Sequence, residues 1–340
     1  VDNVSDLTLA LASAVSGQLV WVPPVTITIP NAAYGKTVKS GVALATQGGK
    51  IKWDYYGPTT GYMIPLLNLS SEGILSGLVF EGGGGYGRYG YDAGPCAIRA
   101  SGARHTLIEN CDVSKFRGAG IWFGDGSASI SVWNDDNQRN ILRHCDVRNA
   151  QQYGFGYGIG EQGGSQSWLA EACRFGNNRH STMLAGGTTS YEVRYSSFED
   201  AIYANSDTGP ATVQSHQVDA HGGGFYGFKA GVHIYIHRNT LSRNNSFSEK
   251  PNIMIRGVVS SECIVEYCWT KKTYRSGVHD ETVSNQLVQL AAEEGGTWDG
   301  PSNLLSTANV VCRQNWYGTN PPPDVGGLRK MAVTVAVARR

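Results

Sequence analysis

The residues best suited to chemistry crowd into the middle of the chain: Asn178, Arg179 and His180; Glu192, Arg194 and Tyr195; His216, Asp219 and His221; His233, His237, Arg238 and Asn239; and Arg256. Most of the eight histidines fall in this stretch. His216 or His221 suits a general base and Asp219 suits orienting it, while Arg194 and Arg256 suit holding the carboxylate of an acidic sugar. Proton abstraction beside a neutralised carboxylate is lyase chemistry, and its residue set is His180, Glu192, Arg194, His216, Asp219, His221 and Arg256. That reading requires His216, Asp219, His221 and Arg256 to line one exposed groove. The competing reading makes the same residues hydrogen-bonding ladders with their charges paired. Asp219 and His221 project to one face of a strand, as metal ligands must, but the spacing supplies no third ligand and no acidic run suited to calcium. No resident cofactor is expected.

Such residues converge only if the backbone brings them into register, and one recurring phrase does this. It reads ILSGLVF (74–80), LIENCDV (107–113), ILRHCDV (141–147), LAEACRF (169–175), EVRYSSF (192–198), YIHRNTL (235–241), IVEYCWT (264–270) and VCRQNWY (311–317). Each reads as a strand with its following turn, positions two and seven pointing inward. Position five forms a structural ladder of small or amide residues: Leu78, Cys111, Cys145, Cys173, Ser196, Asn239, Cys268 and Asn315. The uneven separations suit coils that keep a fixed strand and carry corner loops of different length. Residues 120–123, 157–159, 183–185, 201–204 and 253–256 are further strand candidates.

The phrase resembles the right-handed parallel β-helix superfamily of pectate-lyase type. The opening, with residues 11–14, Gly17 and 20–23 before 41–44, is similar to the start of secreted and cell-surface β-helix proteins of archaea and bacteria. The resemblance implies an all-β chain, a single right-handed parallel β-helix. It leaves function open, because one fold hosts many activities. Residues 6–16 have helical spacing of Leu7, Leu11, Ala14 and Val15 and form the expected N-terminal capping helix. The chain divides into cap and first coils (1–73), β-helix core (74–317) and tail (318–340). In the tail Met331, Val333, Val335 and Val337 alternate like an edge strand open to another chain.

Lys+Arg 28 balance Asp+Glu 28, so no net field draws the chain to nucleic acid or anionic lipid. No apolar run is long enough to span a membrane. A start at Val1 without an initiator Met is what a processed, exported protein shows. The seven cysteines include no CxxC pair; those in the ladder read as core fillers, leaving Cys96 and Cys312 as candidates for pairing. The loop with Gly82 to Gly85 and Tyr86, Tyr89 and Tyr91 reads as an irregular aromatic surface. Two functions stay open. One is an extracellular structural protein that associates with copies of itself into a surface layer, sheath or filament, favoured by zero net charge and a low charged fraction of 16%. The other is a polysaccharide lyase or glycoside hydrolase acting on an acidic extracellular polysaccharide.

Overall fold

The computed structural model describes residues 2–31, 34–53, 55, 63–84, 94–124, 139–152, 154–162, 167–185, 189–203, 213–221, 229–242, 252–256, 258–270, 288–291 and 309–317. The recurring phrase governs the architecture. Its position four adopts a left-handed backbone in every coil: Gly77, Asn110, His144, Ala172, Tyr195, Arg238, Tyr267 and Gln314 all have positive φ. The phrase therefore does not form one strand with a trailing turn, as the sequence suggests, but two strands meeting at a corner. Ile74–Ser76 and Val79–Gly82 are the first such pair and Val310–Arg313 and Trp316–Tyr317 the last. At Gly77 a side chain is excluded outright, since a Cβ would lie 2.4 Å from the Thr46 carbonyl oxygen.

Stacking the coils gives three parallel sheets. The first and second have ten strands each and carry the two halves of the phrase; the third has nine. Each coil visits first, second and third sheet in turn, the crossover pattern of a right-handed parallel β-helix. The strands of residues 19–69 join the same sheets as those of the core. Alternation sends Leu75, Ile108, Leu142, Ala170, Val193, Ile236 and Val265 into one continuous interior cluster. Residues 201–204 depart from the expectation: Ile202–Tyr203 pairs antiparallel with Val213–Gln214, outside the three sheets.

The position-five side chains line the corner between first and second sheets, and after Leu78, which only packs there, they bond to the coil before. The Cys111, Cys145, Cys173 and Cys268 thiols face the carbonyls of Leu75, Ile108, Leu142 and Ile236 at 3.5–3.8 Å. Asn239 Nδ2 donates to Val193 O at 2.8 Å while its Oδ1 accepts from Ser196 N at 2.9 Å; Asn315 repeats the pattern with Val265 O and Cys268 N. Burial drives the Cys145 thiol far above its ordinary range and the Cys268 thiol up to about 12, so these two cysteines are inert fillers. Asn239→Leu is expected to cost about 2–3 kcal/mol in urea unfolding, because it strands a buried carbonyl and a buried N–H. Asn239→Cys, which copies the rung of other coils, should cost clearly less.

The cap is the helix Val4–Ser13, started by Asn3, whose Oδ1 accepts from Asp6 N at 3.0 Å. Leu7, Leu11 and Ala14 plug the interior, but Val15 does not share their face: it follows the helix end and is 58% exposed. No disulfide forms among the described residues. Cys96 is buried with its thiol toward Met63 O, and Cys312 is a partly buried free thiol. The alternating segment 328–337 and the loop around Tyr86, Tyr89 and Tyr91 lie outside the described residues.

Candidate functional site

The polar residues singled out in the sequence separate onto two sheets, because nearness in sequence crosses a corner of the coil. His180 (in His180–Ala185) and Asp219 (in Val218–His221) belong to the third sheet, while Glu192 and Arg194 (in Ser190–Arg194) belong to the first. Of the four residues that the catalytic reading places in one exposed groove, the two whose side chains are described, His216 and Asp219, are buried.

The third-sheet group is buried: His180 is 2% exposed, His216 8% and Asp219 0%. His180 Nε2 lies 3.3 Å from Asp219 Oδ2, and its Nδ1 lies 3.2 Å from both Ser215 Oγ and His216 O. Serine, histidine and aspartate are thus in contact, yet both imidazole nitrogens face acceptors. His180 Nδ1 is shared between the serine hydroxyl and the His216 carbonyl, and the whole group is buried away from any substrate, which nucleophilic catalysis must reach. The ring is held in a column of Trp122, Tyr157, His180 and His216, with successive centroids 5.8–6.1 Å apart. Asp219 and His221 alternate on their strand, and His221 is in register with Arg256; the side chains of His221 and Arg256 lie outside the described residues. Among the described residues no three of His, Cys, Asp and Glu converge as metal ligands.

The first-sheet group is accessible. Glu192 forms its floor: Oε2 accepts from Arg139 Nη1 at 2.7 Å, while Oε1 accepts from Arg194 Nη1 at 2.9 Å and meets His237 Nε2 at 2.8 Å. Arg194 also donates to Glu171 Oε1 at 2.9 Å. One coil further on, Glu262 Oε1 accepts from the Tyr235 hydroxyl and meets His233 Nδ1 at 3.2 Å. The mouth is formed by Glu262, Arg194, Glu171 and His237, whose side chains are 21–40% exposed. Arg139 lies two strands away from Glu192 in the sheet order and reaches across Ser167–Glu171 to meet it.

Burial alone would raise the Glu192 pKa, but His237, Arg194 and Arg139 outweigh it and hold the carboxyl at about 2. Tyr235 moves the other way, pushed up by burial and by the Glu262 carboxylate that accepts its proton. A general base works best with a pKa near the working pH, and neither group is tuned that way. Arg194, one of the two arginines suited to neutralising an acidic sugar, is already engaged by Glu192 and Glu171. What the site offers is a fixed array of carboxylate acceptors and guanidinium donors, the recognition chemistry of sugar hydroxyls.

The site continues along the outer face. Position one of the phrase gives an apolar column, half-buried at Ile74, Leu107 and Ile141 and buried at Leu169, running up to Glu192. Position three gives a charge column, Glu109, Arg143, Glu171, Arg194, His237, Glu266 and Arg313, whose neighbours pair at 2.6–2.9 Å in Arg143–Glu109, Arg194–Glu171 and Arg313–Glu266. Arg139, Glu171 and Glu262 were not among the residues singled out in the sequence, and His237 was singled out without a role; the sign alternation at position three is the signal that could have found Glu171 and placed His237.

Coils, corner ladder and outer face together define a right-handed parallel β-helix fold. Residues 67–198 match the family described as right handed beta helix region. Among solved structures the chain is similar to the pectate lyase Pel9A, with TM-score 0.54 and 16% identity over 93% of this chain and 76% of that one. It is also similar to ORF18 of Geobacillus virus E2, with TM-score 0.49 and 12% identity over 86% of this chain and 61% of that one. A further likeness is to the A-module of the Azotobacter vinelandii mannuronan C-5 epimerase AlgE6, with TM-score 0.34 and 13% identity over 95% of this chain and the whole of that one. These are likenesses of fold. Comparison with curated protein sequences finds no match. Among the described residues no helix is long and apolar enough to cross a membrane.

Proposed function

We propose that the chain is an extracellular carbohydrate-binding β-helix that holds a hydroxyl-rich polysaccharide along the outer face of the first sheet without cleaving it. The observation that carries this reading is Glu192, kept ionised between Arg139, Arg194 and His237 at the end of an accessible apolar column. An extended sugar chain presents apolar faces and rows of hydroxyls, and the two adjoining columns match both. One solved structure whose fold it shares is a pectate lyase, in accord with a sugar ligand, while the opposed pKa shifts of Glu192 and Tyr235 favour holding over turnover. The test is binding to a panel of neutral and acidic polysaccharides, comparing wild type with Tyr235→Phe and His237→Ala. The expected result is binding to at least one glycan, weakened about tenfold in each variant with unchanged thermal melting. Release of unsaturated or newly reducing ends from that glycan would overturn the non-cleaving reading.

Self-association into a surface layer, sheath or filament is a second reading, favoured by one specific feature. Of the large hydrophobic side chains exposed among the described residues, all but Val311 lie at the N-terminal end, in Leu9, Val15, Leu19, Trp21, Val25 and Tyr34.

A further inference from the structure

The first sheet ends on Leu19–Val22, and among the described residues no strand pairs with its outer edge. An edge strand presents a row of backbone donors and acceptors to any extended chain that fits beside it. The capping helix does not close this edge. Its buried residues Leu7 and Leu11 plug the interior, and a groove of about 380 Å³ remains between Ala10, Ser13 and Ala14 of the cap and residues 18–21. The groove is walled on one side by the small side chains of the cap and on the other by the strand, whose Leu19 and Trp21 are 58% and 43% exposed.

We propose that this edge and groove receive residues 328–337 of a second copy of the chain as an added parallel strand, joining subunits head to tail. This rests on the self-association reading and names its acceptor. The segment LRKMAVTVAV has one branched face, Val333, Val335 and Val337, and one small face, Ala332, Thr334 and Ala336. The small face matches the groove under the cap, and the branched face extends the outer column of Leu19 and Trp21.

Chain length argues for a second copy over the chain's own tail. Nine steps of about 4.8 Å separate Leu19–Val22 from Val310–Arg313, roughly 43 Å. The thirteen residues 318–330 span about 43 Å only when fully extended, at about 3.3 Å each, and the prolines at 321–323 favour about 3.1 Å each. The chain's own tail would have to lie taut along the whole solenoid. A second copy stacked on the last coil needs a fraction of that reach. The interface is heterologous, with different surfaces on the two partners, so it propagates instead of closing as a dimer.

The experiment is sedimentation velocity of the full chain over a range of concentrations, with Trp21→Asp as the acceptor variant and Val335→Asp as the donor variant. Wild type is expected to form a concentration-dependent series of oligomers, and each variant alone to associate at least tenfold more weakly with unchanged circular dichroism. An equimolar mixture of the two variants should form one-to-one dimers and nothing larger, since each supplies the half the other lacks. Variants that still polymerise, or a mixture that stays monomeric, overturn the proposed edge while leaving self-association standing. A wild type that is monomeric at every concentration overturns both.

Discussion

Replacing Trp168 by phenylalanine is expected to destabilise the solenoid by about 3 kcal/mol, although the aromatic stack is kept. Trp168 is 1% exposed, lies on Tyr191 with ring centroids 4.7 Å apart and on Phe123 at 6.0 Å, and donates from Nε1 to Glu161 Oε2 at 2.7 Å. Glu161 is wholly buried on the inner face of its strand, where its register neighbours are Phe123 and Leu184. Phenylalanine fills most of the ring volume but takes the N–H from a carboxyl that water cannot reach. The measurement is a double-mutant cycle in urea. Glu161→Gln alone should cost under about 1 kcal/mol, since an amide oxygen still accepts from the indole, and Glu161→Leu should remove most of the penalty of Trp168→Phe. A cost for Trp168→Phe that is the same with and without the Glu161→Leu substitution would show that the hydrogen bond carries no weight.

The second large effect is at Glu192. Glu192→Ala removes the carboxylate that Arg139 Nη1 meets at 2.7 Å, breaking an ion pair whose two side chains are only 10% and 9% exposed, a loss of about 3–5 kcal/mol. The pH dependence has a definite sign. The folded Glu192 pKa of about 2 lies below the ordinary glutamate value of 4.5, so its contribution is fully present above about pH 4.5 and is lost as pH falls toward 2. Wild type should therefore lose stability across that window more steeply than Glu192→Ala, and the two unfolding curves should converge near pH 2. Curves that stay parallel through the window would place the carboxyl outside the ion network.

How far these features were legible in the sequence follows from the geometry of the coil. The corner ladder was readable because Cys111, Cys145, Cys173 and Asn239 must be small or amide to fit an interior corner, and that demand recurs in every coil. The left-handed residue before each rung was not, because Asn110, His144, Ala172 and Arg238 have no side-chain type in common; only backbone geometry unites them. The buried amides Asn178, Gln217 and Asn252, which bond one another or the backbone around the second corner, were hidden by uneven loop lengths. The polar cluster misleads for a related reason. His180 and Glu192 are twelve positions apart but on different sheets, whereas Arg139 and Glu192 are 53 apart and touch. Contact in a solenoid is set by register, so phrase position, here the charges at position three, carries the information that sequence proximity does not.

The most direct test is hydrogen–deuterium exchange with and without the glycan that binds best in the panel. Binding along the first sheet predicts slowed exchange in Ser190–Arg194, Lys229–His237 and Val258–Glu266, with Val218–His221 on the third sheet unchanged. Protection confined to Val218–His221 and its neighbours, with none around Glu192, would contradict the account.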